Sequence, residues 1–510
     1  MLDETGICFN RTGVYDSLNT TLPSENVTNH IRKVLPSIMR LKEVAQNAVL
    51  AFVSQGFSFL LSVLTSLLVP KVLGVEEFGY WQLFLFYSSY TGFFAFGIAD
   101  GIYLIEGGKS RDAIDKRRVN SALLFGIAYE VPLAIAVAVG CSLAGFEEQR
   151  EFVILATAVY MVISYLWNAL GYVFQAMNET KLYSFAVMAN KLAFLLPLVF
   201  LLFVRCDSFK PFVLFYIASH CCSLIYCAWN GRDILASGLY MPLKSVRIGI
   251  GYIRVGIKLM FANIASMLIL GFARLLIDAA WGIETFGKLS FSLSMVNFFL
   301  AFVSQASMVL FPALRQSHGD EQRKVFSTMR ESLTILLPGI YVFCFPLTWL
   351  IGMWLPQYVD SLRYFVFLLP MCVFDGKMDL LGTTFFKVLR KESTLLRINI
   401  ATAVVSAIGT LLGVFCFESV DVVIFSVVFA LAMRSLISEA LISRDIDAPR
   451  SFLPLGEIIV TAGFLLTGIF LSGFCATFVY FAVYIAYLLV FKNETKGVIR
   501  TIKKMRGGLM

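Results

Sequence analysis

Apolar residues along the chain fall in long unbroken runs rather than in strict alternation, and the stretch LAFLLPLVFLLFV at 192–204 is representative. A membrane-spanning helix takes about 20 consecutive apolar residues, whereas a membrane barrel shows short segments of alternating polarity. The pattern therefore predicts an all-α polytopic bundle. Runs bounded by charged or Gly/Pro-rich stretches give six spans at 45–70, 80–105, 119–142, 152–176, 184–204 and 209–229. Eight more follow at 256–277, 288–312, 331–354, 360–386, 395–416, 420–440, 456–473 and 475–491. The expectation is about 14 transmembrane helices.

Composition agrees. Of 510 residues 58% are hydrophobic and 15% charged, and the mean hydropathy is +0.78; soluble domains run nearer half apolar and a quarter charged. Three histidines (His30, His220 and His318) and ten scattered cysteines, with no CxxC or HExxH string, supply no metal centre, and no cofactor is expected. The connections on one side are too short for a catalytic domain, so the chain does not read as an enzyme.

The net charge of +8 could suggest nucleic acid, but its placement gives it another meaning. About 32 of the 42 basic residues fall in the N-terminal segment, every second connection and the tail, and about six in the opposite loops. By the positive-inside rule both termini are cytoplasmic and the number of spans is even. No nucleic-acid partner is expected. Four basic residues, Lys191, Arg274, Lys377 and Arg434, remain inside spans.

An internal repeat sets the organisation. LGVEEFGYW (73–81) follows the first span and WGIETFGKL (281–289) the seventh, so that Gly74, Glu76, Phe78 and Gly79 match Gly282, Glu284, Phe286 and Gly287, each 208 residues on. NETKL (178–182) and KESTL (391–395) form a second pair at a similar offset. Six spans separate the copies, so both enter the membrane in the same direction, as a parallel repeat. The expected parts are a cytoplasmic segment 1–44, a first lobe 45–230, a cytoplasmic inter-lobe loop 231–255, a second lobe 256–440, two extra spans within 456–491 and a basic tail 492–510. The segment before the first span reads either as an interfacial stretch or as a leader to a start at Met39. Two pseudo-symmetric six-helix lobes around a central cavity suit alternating access.

The stretches VPKVLGVEEFGYWQLFLF (69–86) and FGIADGIYLIEGGK (96–109) resemble the first two spans of Wzx-like oligosaccharide flippases of the polysaccharide-biosynthesis type, within the multidrug/oligosaccharidyl-lipid/polysaccharide exporter superfamily. FGKLSFSLSM (286–295) and VSQASMVLFPAL (303–314), with Pro312, are similar to that family's eighth span. The two extra spans resemble instead the lipid II flippase branch. The resemblance implies a bacterial cytoplasmic-membrane flippase whose partners are a lipid-linked oligosaccharide of undecaprenyl-pyrophosphate type, membrane lipids, and polymerase or glycosyltransferases of the same pathway. The alternatives are a cation-coupled multidrug exporter of the same superfamily and a membrane glycan-assembly enzyme.

Ionisable residues inside spans are costly, and they face a cavity or one another. Asn263 and Arg274 are 11 residues apart and share a face of the seventh span. Asp278, one turn beyond, is either the counter-ion of Arg274 in a structural pair or the partner exchanged when an anionic head group binds. Lys191 and Lys377 are the other candidate cavity cations. Asp375, Asp379 and Thr383 share a face while Lys377 points about 200° from Asp375, so the cluster reaches the cavity or marks a break after Pro370. Arg434 is expected to snorkel from the inner end of its helix. Asp100, Glu106 and Glu130 are candidates for cation coupling, Asp100 being the best placed. Gln55, Ser58, Ser62 and Thr65 stripe the first span and Ser290, Ser294, Asn297 and Ser304 the eighth, to meet sugar hydroxyls or to let helices approach closely.

Overall fold

The computed structural model describes residues 60–316, 320–449 and 451–507. Gln55 and Ser58, and the side chain of Ser304, lie outside the described residues. The helices are α1 (Val69–Tyr90), α2 (Ile98–Glu106), α3 (Lys116–Ala144), α4 (Glu148–Ala176), α5 (Thr180–Val204), α6 (Phe209–Asn230) and the single turn α7 (Arg232–Leu235). There follow α8 (Pro242–Gln316), α9 (Asp320–Leu336), α10 (Cys344–Trp354), α11 (Leu362–Leu368), α12 (Met371–Lys377), α13 (Thr384–Val388), α14 (Glu392–Phe415), α15 (Val420–Asp445), α16 (Leu453–Phe470), α17 (Gly473–Val490) and α18 (Lys492–Gly507). Among the described residues there is no strand, and the protein is a multi-pass, all-helical membrane bundle.

Among the described residues, ten segments are long and apolar enough to cross a bilayer. One of them, Pro242–Ala301, covers 60 residues and breaks at Gly282. Arg274 donates to Ser290 from eight residues the other side of that glycine, so the chain doubles back there and crosses twice. Two further passes are interrupted and so fall short of a single long helix. The pass through α1 and α2 is broken by the turn Thr91–Phe93, and the one through α11, α12 and α13 by Pro370 and a wide π turn at Met378–Thr383. With residues 60–73, the passes come to about 14.

The repeat is visible in the backbone. Gly74 (φ 75°, ψ −177°) and Gly282 (φ 77°, ψ −178°) adopt the same conformation, one that a side chain would strain. The segments following these two turns cross each other. A Cβ on Gly79 would sit 2.7 Å from the Ile283 carbonyl, and one on Gly287 2.7 Å from that of Val75. The contact closes the end of the bundle away from the basic loops: Phe78 packs edge-on against Phe291 and Tyr358, and the Tyr358 hydroxyl donates to the Gly74 carbonyl at 3.0 Å. Gln357 donates to Pro70 at 2.9 Å, and the Lys71 ammonium lies 3.2 Å from the centre of the Trp354 ring.

The inter-lobe connection differs from the expected loop over 231–255. After α7 and a short turn, α8 begins at Pro242 and continues without interruption into the seventh pass. Its glycines, which read as loop, are contact points. Gly249 meets the Phe125 ring, Tyr252 lies on Gly101, and Gly256 touches the backbone of Gly97, where a Cβ would come within 2.0 Å. In a bilayer, helices gain little from burying apolar surface against each other, and close backbone approach supplies the packing. The basic side of the first lobe is tied by Arg111, which donates to both carboxylate oxygens of Asp233 (2.8 and 3.1 Å), to Glu179 and to the Asn230 carbonyl.

Candidate functional site

A cavity of about 290 Å³ lies inside the bundle below the closed end. α1 contributes Phe86, Ser89 and Tyr90; the two passes of α8 contribute Ser266, Met267, Arg274 and Asn297; α12 contributes Asp375 and α15 contributes Arg434. The structure thus brings Arg274, Asn297 and Asp375 together. It adds Arg434, which is buried and does not snorkel: it donates to Ser266 Oγ at 2.9 Å and pairs with Asp375. Asn263 is exposed one face-repeat nearer the basic end, in line with Met267, Leu270 and Arg274.

Arg274 is the unusual member. One guanidinium nitrogen donates to Ser290 Oγ at 2.9 Å, and the group lies 4.6 Å and 4.9 Å from the ring centres of Phe86 and Phe286. Its Nε is buried with no acceptor, and it forms no salt bridge among the described residues. Asp278 does not serve as its counter-ion, because Arg150 at the start of α4 takes both Asp278 oxygens at 2.6 and 2.9 Å. One turn of helix is enough for a pair, but a planar guanidinium facing the carboxylate from the other lobe offers two parallel bonds. The cavity therefore carries two arginines and one carboxylate, a surplus of one positive charge.

Lys377 does not reach this cavity. It is buried on the opposite face of α12, between Glu439 of α15 (2.6 Å) and Glu457 of α16 (2.7 Å), with Arg330 of α9 3.8 Å from Glu439. Four charges that sum to zero, none more than 5% exposed, fasten the thirteenth pass to the second lobe. Lys191 is half-buried on α5, forms no hydrogen bond or ion pair among the described residues, and does not line the cavity. Asp100 lies in the first turn of α2, where the helix dipole favours a carboxylate, also away from the cavity. Ser62 is half-buried, Ser294 accepts from Gln82 at 3.3 Å, and Glu106 accepts from Tyr252 at 2.6 Å, which engages it structurally. Glu130 is fully buried on α3 with neither oxygen bonded.

Outside the membrane-spanning segments, the Arg111 guanidinium and then the Lys116 ammonium hold the Asp233 carboxyl well below the usual carboxylate range, against the opposing effect of burial.

Two repeated bundles around a cationic cavity make a two-lobed, all-helical membrane fold. No family model and no curated protein sequence matches the chain. Among solved structures it is similar to the lipid II flippase MurJ in an inward closed conformation, with a TM-score of 0.61 and 10% identity over 88% of this chain and 99% of that one. It is also similar to an inward-facing multidrug resistance MATE family transporter of the MOP superfamily, with a TM-score of 0.59 and 10% identity over 77% of this chain and 94% of that one. The chain shares the fold of these two structures, and at this identity the likeness speaks for the fold alone.

Proposed function

We propose that this protein is a flippase that moves a polyprenyl-pyrophosphate-linked oligosaccharide across a bacterial cytoplasmic membrane by alternating access. The basic side faces the cytoplasm on this reading. The observation that carries it is Arg274, a guanidinium lining a cavity inside the bundle with no carboxylate of its own. An isolated charge in a low-dielectric site is costly, and a phosphate oxygen arriving on the substrate removes that cost on both sides at once. Arg434 lies in the same cavity, and a second phosphate oxygen competes with Asp375 for it. Ser89, Tyr90, Asn297 and Asn263 offer hydroxyl and amide partners for a glycan, while the lipid tail stays in the bilayer. Outward movement of a pyrophosphate is helped by an inside-negative potential, at about 2.3 kcal/mol per charge per 100 mV.

The test is replacement of Arg274 by Ala and by Lys, followed by the amount of lipid-linked oligosaccharide left on the cytoplasmic leaflet. Accumulation is expected with Ala, and less of it with Lys, which keeps the charge but loses the planar fork. Normal export by the Ala variant overturns the proposal. The multidrug-exporter reading draws on Glu130, a buried carboxyl without a partner in the first lobe; it requires export of organic cations that Glu130→Gln abolishes and Arg274→Ala spares.

A further inference from the structure

The face of α8 turned away from Arg274 carries a second pattern. Arg254, Lys258, Phe261, Ala265, Leu268 and Phe272 recur at steps of four and three, so they form one stripe, basic at one end and apolar beyond. The stripe on α14 has the same order, with Arg397 one turn before Ile400 and two before Val404. The apolar parts of both stripes, with Phe93, wall a groove of about 630 Å³ on the outside of the bundle. Asn399 donates to the Ala262 carbonyl at 3.4 Å and so aligns the two helices in height. Lys258 and Arg397 therefore stand at nearly the same level, about 6 and 3 Å below that bond. Arg254, Lys258 and Arg397 are exposed and form no ion pair or hydrogen bond among the described residues.

We propose that this groove is a binding site for an anionic phospholipid of the leaflet on the basic side, its chain along the apolar stripe and its phosphate between Lys258 and Arg397. Charge complementarity selects the occupant. Three unpaired cations at the mouth of an apolar groove match a head group of net negative charge and leave a zwitterion's ammonium unpartnered. The substrate cavity is a separate place, because Arg274 lies about 160° around the helix from Phe272.

The experiment is native mass spectrometry of the full chain released from bilayers of phosphatidylglycerol and phosphatidylcholine. The wild type is expected to retain one phosphatidylglycerol more than the Lys258→Gln/Arg397→Gln variant, with occupancy lower by about tenfold in the variant. Ala403→Trp fills the groove without touching charge and is expected to lose the same lipid. Equal retention by wild type and both variants overturns the proposal, as does equal retention of phosphatidylcholine. Displacement of phosphatidylglycerol by an equimolar polyprenyl phosphate also overturns it and assigns the groove to a substrate tail.

Discussion

Arg150 and Asp278 form a two-pronged ion pair across the lobes, with one bond of 2.6 Å and a parallel one of 2.9 Å. The pair bridges the lobes at the closed end and withholds Asp278 from Arg274, so a single contact bears on both the closure and the charge of the cavity.

Breaking that latch should open the far end. In a chain whose ten cysteines are replaced, a cysteine put in place of Ser89 in the cavity reports access from that side. Asp278→Asn is expected to raise its labelling by an impermeant maleimide several-fold, since one-sided loss of a largely buried pair costs about 3–5 kcal/mol. Unchanged labelling would show that the aromatic contact of Phe78, Phe291 and Tyr358 holds the end alone.

Lys377 should matter for stability rather than for substrate. Lys377→Met leaves Glu457 without a cation and Glu439 with Arg330 alone, at 3.8 Å, a loss of about 3–5 kcal/mol. Its melting temperature in detergent is expected to fall clearly, and Lys377→Met with Glu457→Gln to recover part of the loss. A Lys377→Met protein that melts normally but does not transport would return this lysine to the cavity.

The contact of Gly97 with Gly256 should tolerate no side chain. Gly256→Leu forces apart α2 and α8, and a monodisperse peak on size exclusion is expected to be lost. Gly251→Leu, on the same helix with open space around it, serves as the control.

The basic-side ties should respond to acid. The folded-state carboxyl of Asp233 lies below its unfolded value of about 3.9, so the stability it contributes is fully present above that pH and is lost as pH falls through the depressed range. The gap in melting temperature between wild type and Asp233→Asn is expected to be constant from pH 7 to 5 and to close below about pH 4. A gap that persists in acid would assign the effect of the substitution to packing.

The spans were legible because a bilayer imposes about 20 apolar residues on each, and the repeat because two turns needing the same backbone kept their glycines. Helix arithmetic put Arg274 on one face with Asn263, while for Asp375 it admitted either the cavity or a break after Pro370. Lys377 was misread because its partners lie 62 and 80 residues on, although Glu457, an acid inside the run LPLGEIIV, was a signal open to reading. Arg434 was misplaced for the same reason: position along a helix says nothing about which neighbour carries Asp375. The early start of α8 was hidden because IGIGYIRVG has the composition of a loop and the function of a packing ridge.

The repeat also makes the chain a covalent dimer of two like-oriented halves, and α16 and α17 have no counterpart in the first of them. The clamp of Arg330, Glu439, Lys377 and Glu457 joins that surplus to one half only. Under the proposed alternating access, a hinge between the lobes divides six passes from eight, and the two sides of that motion carry unequal cross-sections of bilayer.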